Sequence, residues 1–502
     1  MTRASDVAKI LKQPFTNTLG TSNYRAGVNA GDSIASGGNY NVAIGDEAGT
    51  AITTGDHNTA IGFSALDAED GGTASVAIGN YALSAQNADG NNYNTAVGYV
   101  AGSDITTGIE NTIIGGLAGD ALSDADYNTI VGTRALGSDT KGSRSTAIGY
   151  SALSTQNFSS STNANNTAVG FFAGVGVTTG SSNTLIGAEA GNDISTGNSN
   201  TVVGAKAGEE MTTASDCVYI GMLAGGGNAS SATTGDDNNC IGSNAGASLT
   251  SGSLNNIIGQ NAGNALTTGS NNVAVGNQAL RDETAGLGQI AIGRNALLNV
   301  NHSAESCENI AIGDSANTIS TTGKNIIAIG ASSAPNSSSA TDLIVMGKSV
   351  TAVGPSNFTF GDGSTDSNIQ FGATSITAPS DERYKEEITT STAGLSFIND
   401  LRPVTFKWKK EKDVPTNSRS YVAGSDTRVM GKGEKVQHGF IAQEVKAVID
   451  NHSEIKDGFQ MWQIDEIEGS DFRQRLAPSE LIPMLVKAIQ ELTDKVTALE
   501  SN

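Results

Sequence analysis

Aromatic residues make up only 5% of this 502-residue chain; tryptophan occurs twice, cysteine three times and proline eight times. So few large side chains cannot fill one conventional core for a chain of this length. Cys217, Cys240 and Cys307 stand singly, which excludes a disulfide framework and metal-ligand spacing. They read as small buried residues of a protein assembled in a reducing cytoplasm. His57, His302, His438 and His452 form no cluster either. Basic residues are scarce, 29 Lys and Arg against 51 Asp and Glu, for a net charge of −22. Residues 1–30 carry +3, residues 31–379 carry −21 and residues 380–502 carry −4. Such an acidic middle argues against a nucleic-acid surface, and its charge keeps elongated bodies from sticking side by side. No apolar run is long enough to span a membrane as a helix, and the N-terminus lacks the apolar segment of a secretory signal. The glycine runs at 174–176 and 225–227 lack the strand–turn–helix setting of a phosphate loop. No metal and no cofactor are expected.

What is abundant is glycine, at 62 residues, and it is periodic. Glycines close Asn-Thr-Ala-Ile-Gly-like blocks at 45, 62, 79, 98, 115, 132, 149, 170, 187, 204, 221, 242, 259, 276, 293, 313, 330 and 347. The spacing is 17 residues, interrupted only by insertions of two to four. Eighteen copies define a repeat architecture in which each unit packs on its neighbours. Within a unit, a stretch such as Asn58-Thr59-Ala60-Ile61 predicts a short strand, its β-branched residues suited to a stacked ladder. An Ala-Gly or Ala-Leu element follows (Ala48-Gly49, Ala118-Gly119). Then comes Thr-Thr-Gly (Thr53-Thr54-Gly55, Thr106-Thr107-Gly108), a turn signal with glycine available for positive φ. Insertions at 87–92 and 159–163 fall just before the next strand, where surface loops tolerate them. Ala and Gly expose little apolar area per turn, so packing of three chains along one axis is the expected means of burying it. The segment is similar to the trimeric β-roll heads of bacterial adhesins, with a longer unit. One turn per copy, rising about 4.8 Å, predicts a rod of roughly 80 Å.

The repeats stop before Ser380-Asp381-Glu382-Arg383-Tyr384-Lys385-Glu386. A serine becomes a useful nucleophile only when a base takes its proton, and a lysine serves as that base only when neutral. Five residues apart on a helix, Ser380 and Lys385 lie roughly 140° apart; on a strand they face opposite sides. Either a tight turn folds the segment back, or the lysine comes from a neighbouring protomer. Ser380, with Asp381 and Glu382 behind it, equally suits a helix N-cap. Three further blocks follow: Arg402–Trp408, Gly439–Val445 and Leu481–Leu492. Together these resemble the peptidase S74 family, the self-cleaving intramolecular chaperones of phage tail fibres and tailspikes, over residues 380–502. The resemblance implies a homotrimer whose C-terminal part assists assembly and then cuts itself off between Pro379 and Ser380. Ser380 is then the nucleophile and Lys385 its base.

The two ends complete the expected order. Residues 4–13 predict a short amphipathic helix stopped by Pro14, and Met1-Thr2-Arg3-Ala4 resembles fibre N-termini of marine cyanobacterial phages. That implies attachment of 1–30 to a tail or connector protein. Residues 31–347 form the β-solenoid shaft. Residues 348–379, with Phe358, Phe360 and Phe371, form its cap or distal tip. Residues 380–502 form a small α+β chaperone domain. At its end Ile482, Leu485, Ile489, Leu492, Val496 and Leu499 make an a/d seam over a helix at 482–500. The seam's composition by itself favours a dimer, whereas the resemblance implies a trimer. The expected whole is a mostly β, trimeric virion fibre, assembled in an infected bacterial cytoplasm, that contacts a host receptor of glycan or outer-membrane type. An uncleaved structural fibre and a bacterial trimeric adhesin are the alternatives. A glycan-degrading enzyme is disfavoured because residues 31–379 hold no tryptophan sugar platform.

Overall fold

The computed structural model describes residues 20–501 apart from 228–230, 304–305, 364, 374–375, 378–379, 381, 419, 432 and 465–473. The predicted helix at 4–13 therefore lies outside the described residues. The chain divides into two compact units, residues 1–379 and 380–502.

The first unit is a single parallel β-solenoid of about 20 turns. Three-residue strands recur from Tyr24–Ala26 onward, each pairing in register with the strand one turn on, as Thr59, Ala60 and Ile61 pair with Val76, Ala77 and Ile78. The middle residue points inward and is fully buried (Ala43, Ala60, Ile113, Leu185); the flanking pair faces outward. Insertions do not disturb this register: Val97 still pairs with Ile78 across the 19-residue turn. The extra residues form small ladders of their own, Gly72–Thr73 with Gly90–Asn91 and Gly142–Ser143 with Thr162–Asn163. Long turns come at every fourth position, after Gly79, Gly149, Gly221 and Gly293, so the shaft also repeats in units of 70–72 residues.

A buried asparagine precedes most strands, and these side chains stitch the turns together. Asn58 N–H donates to Asn41 Oδ1 at 2.8 Å, and Asn58 Nδ2 donates to the Gly72 carbonyl at 2.8 Å. The same pattern runs through Asn111, Asn128, Asn183, Asn200, Asn255 and Asn272. Each carboxamide answers backbone groups that the tight corner leaves without a ladder partner, and a buried group left unpaired costs about 1–3 kcal/mol.

Two expectations are corrected here. The glycines of Thr-Thr-Gly do not take positive φ: Gly55 and Gly108 are absent from the left-handed region. They are needed because a Cβ there would run into the carbonyl oxygen of the next turn, Gly72 or Ala125. Left-handed φ falls instead on ordinary corner residues such as His57 and Glu110. The small residues also require no second chain for burial, since Ala43, Ala48, Ala60 and Ala65 are already inaccessible within one.

The Ala-Gly and Ala-Leu elements are two solutions to one packing problem. Gly49 and Gly119 sit at φ +56° and +52°, and the space a side chain would take is filled by Ile52 and Leu122 three residues on. In the other class Leu66, Leu136 and Leu280 hold the same left-handed position with side chains fully buried. The residue three further on is then polar: Glu69, Asp139 and Glu283. In these turns a large side chain at one position is matched by a smaller apolar content at the other, as close packing demands, whereas Leu297 is followed by the buried Val300. At the far end the parallel ladder closes on an antiparallel hairpin, Asn357–Asp362 with Thr365–Gln370, where Phe358 pairs with Ile369.

The second unit contains helices α1 (Leu395–Asp400), α2 (Ala442–Asn451) and α3 (Leu481–Glu500). Strand Val404–Phe406 pairs antiparallel with Gln437–Gly439, and Trp462–Ile464 with Gln474–Leu476. Its core is small: Ala393, Phe397, Leu401, Val445, Ile449, Ile455, Met461 and Leu481.

Candidate functional site

The division between the units falls between Pro379 and Ser380. Pro379 and Asp381 lie outside the described residues. Instead of a capped α-helix, only a single 3₁₀ turn forms, Glu382–Tyr384, closed by Lys385 N–H donating to the Glu382 carbonyl at 3.0 Å. This turn reverses the chain enough for Lys385 Nζ to donate to Ser380 Oγ at 2.7 Å. Of the two arrangements left open by spacing, the tight turn within one chain is the one observed. Both residues are exposed, so the contact meets solvent, as a hydrolytic step requires.

The surrounding unit is itself tied together by polar clamps that the sequence did not announce. Glu491 of α3 accepts the N–H of Leu395 at 2.9 Å, capping the otherwise uncapped start of α1. Arg402 Nε donates to Glu444 Oε2 at 2.9 Å, joining the Arg402–Trp408 block to the Gly439–Val445 block. His452 bridges Glu454 Oε1 (2.8 Å) and Asp400 Oδ2 (2.9 Å). Hydrogen bonds to those two carboxylates raise its pKa above the ordinary histidine value. His438 lies opposite Thr405 and lines a cavity of about 640 Å³ with Pro403, Phe406, Trp408, Gly439 and Phe440.

Within these limits the comparisons with known proteins add one finding. Residues 380–454 match the family of the chaperone of endosialidase, peptidase S74. The match begins at Ser380 and takes in the 3₁₀ turn, α1 and α2. It stops short of α3, so the Leu481–Leu492 block and the heptad seam, included in the resemblance read from sequence, fall beyond it. No curated protein and no solved structure matches this chain.

Elsewhere the described residues hold no group of three His, Cys, Asp or Glu side chains placed to bind a metal. No helix among them is long and apolar enough to cross a membrane. All three cysteines are buried and free. The shaft does contain charged groups that sequence reading passed over. Glu283 is buried, with Oε1 accepting N–H groups of Thr284, Gly286 and His302, and Oε2 facing His302 Nδ1 at 2.7 Å. Burial alone would raise the Glu283 pKa, but hydrogen bonds from His302, Gly286 and Gln289 hold it to about 2. Burial likewise opposes protonation of His302, yet hydrogen bonds with Cys307, Glu283 and the Gly323 carbonyl lift it to about 10. The pair is ionised and braces the insertion that follows Gly293. Glu69 and Asp139 do the same work: Asn92 Nδ2 donates to Glu69, and Phe158 N–H donates to Asp139, each from the inserted segment of the next turn. The available signal was position, an acid three residues after Ala-Leu in the turn before an insertion.

Proposed function

We propose that this chain is a subunit of a phage-type trimeric fibre whose residues 380–502 act as an intramolecular chaperone and leave by self-cleavage between Pro379 and Ser380. The observation that carries the reading is the 2.7 Å contact of Lys385 Nζ with Ser380 Oγ at the junction of the two units. The start of the matched family at the same residue supports it.

The chemistry follows from the position of the serine on the amine side of the bond it breaks. Neutral Lys385 takes the Oγ proton, and Oγ attacks the Pro379 carbonyl carbon. As the C–N bond breaks, the lysine returns its proton to the departing Ser380 nitrogen, leaving an ester between Pro379 and Ser380 Oγ. Water then hydrolyses that ester, giving the Pro379 carboxylate and a free serine. In this reading residues 1–30 attach the fibre to a tail or connector protein, and the hairpin after the shaft becomes its distal tip, offered to a host surface receptor.

Intact mass and denaturing-gel analysis of the chain beside Ser380→Ala and Lys385→Met tests the reading. Fragments 1–379 and 380–502 are expected from the native chain alone. A full-length species in all three removes the protease and leaves a structural fibre that keeps its chaperone.

A further inference from the structure

The outer face of the solenoid strands is unpartnered, and it is chemically unlike the rest of the shaft. At the third strand position Ile78, Ile114, Ile148, Ile186, Ile220 and Ile258 keep 36–41% of their surface open. Every strand aligned with them from Val42–Ile44 to Thr341–Met346 has Ile, Val or Met at that position. The first position is Thr, Val, Ile or Asn throughout. Of the 37 charged residues in 31–379, none occupies either outward position in these eighteen strands.

This pattern is not needed to fold one chain, because the inward residues already close the core. A β-branched aliphatic facing water at every turn gains nothing unless something covers it. Shafts that each carry −21 repel one another, and a ribbon free of charge is an approach open to a like-charged neighbour. At about 4.8 Å per turn and three residues wide, the ribbon measures roughly 80 by 10 Å, on the order of the 800 Å² per partner that a stable specific interface buries. It continues past the strand-end glycine into Tyr99, Tyr150 and Phe171, which are 43–58% exposed.

We infer that this ribbon is the face by which the shaft packs against two further copies of the same chain, in register, with equivalent isoleucines meeting at a common axis. The number of copies rests on the fibre reading above; the identity of the face does not.

The test uses the full-length chain with single cysteines introduced by Ile186→Cys and Ile258→Cys, with Asp193→Cys, half a turn of chain away from the strand, as control. Mild oxidation followed by a non-reducing denaturing gel is read beside light-scattering mass of the same samples. Both ribbon variants are expected to give a two-chain band, and the control only single chains. A three-chain mass without ribbon cross-links overturns the inference while the trimer stands; a single-chain mass overturns both. An Ile186→Lys/Ile220→Lys/Ile258→Lys variant supplies a second readout. It is expected to keep its circular dichroism spectrum while its shaft assembly melts at least 10 °C lower, and an unchanged melt counts against the ribbon.

Discussion

The shaft and the C-terminal unit bury themselves in opposite ways. In the shaft most turns present an inward alanine or aliphatic residue and a buried carboxamide, and strand and ladder contacts are made with residues about 17 positions away. Stability is then close to a sum of nearest-neighbour terms, and length adds to it without new design. The C-terminal unit has one core of eight buried hydrophobic residues, and its longest helix leaves Ile482, Leu485, Ile489 and Leu499 largely exposed. One region closes its core within a chain and offers an uncharged ribbon along its strands; the other leaves several apolar side chains of its longest helix uncovered. The contrast teaches that repetition solves the burial problem for a chain poor in large side chains, whereas a short non-repetitive segment leaves more of its apolar surface open.

The comparison can be broken most severely at the asparagine ladder. Asn183→Ala removes a donor to the Gly197 carbonyl and the acceptor for both Asn200 N–H and Asn200 Nδ2, leaving several buried groups unpaired. A loss of roughly 4–6 kcal/mol is expected in denaturant unfolding of the shaft. An effect under about 1 kcal/mol would mean that the ladder is ornamental.

Next in size is the buried pair. His302→Ala leaves Glu283 charged and unmatched, at an expected cost of about 3–5 kcal/mol. The pH dependence of the native pair has a definite sign. His302, raised from 6.5 to about 10, contributes fully below pH 6.5 and loses that contribution as pH rises towards 10. Glu283, lowered from 4.5 to about 2, contributes above pH 4.5 and loses it as pH falls towards 2. Protection against hydrogen exchange at the 293–313 turn, corrected for intrinsic exchange, should therefore be greatest between pH 4.5 and 6.5, and its loss above pH 6.5 should vanish in His302→Ala.

Smaller, and sharper as a test of the two turn classes, is an exchange between them. Gly119→Leu alone overpacks, since even a Cβ comes within 2.9 Å of Ile130 and 3.0 Å of Leu122. Leu122→Gln alone opens a hole beside a buried amide. The double variant should recover about 1–2 kcal/mol relative to the sum of the singles, measured in a double-mutant cycle. Strict additivity would deny that the two positions compensate.

The smallest effect on folding is predicted in the C-terminal unit. Ile489→Asn on the open face of α3 should change unfolding of a dilute chain by less than about 0.5 kcal/mol. The same change should weaken association of the chains measured by sedimentation. Equal effects on both would place Ile489 in a core rather than at an interface.

Much of this was legible in the sequence. The 17-residue spacing pointed to the solenoid and to eighteen of its about 20 turns. The Ser380 block and the two blocks that follow it pointed to the family whose model matches residues 380–454. The periodic Asn, Ala and Ile positions were visible, but their directions were not: alanine that looked too small to bury alone is covered within the chain, and isoleucine faces out. What the tertiary structure alone decided are the matters that depend on which turn lies above which. Those are the carboxamide ladder, the acids that anchor the inserted loops, the ionised His302 beside Glu283, and the turn that brings Lys385 back onto Ser380. Sequence spacing sets what can repeat; the direction of a side chain and the partner it meets are fixed only when successive turns close over one another and exclude water.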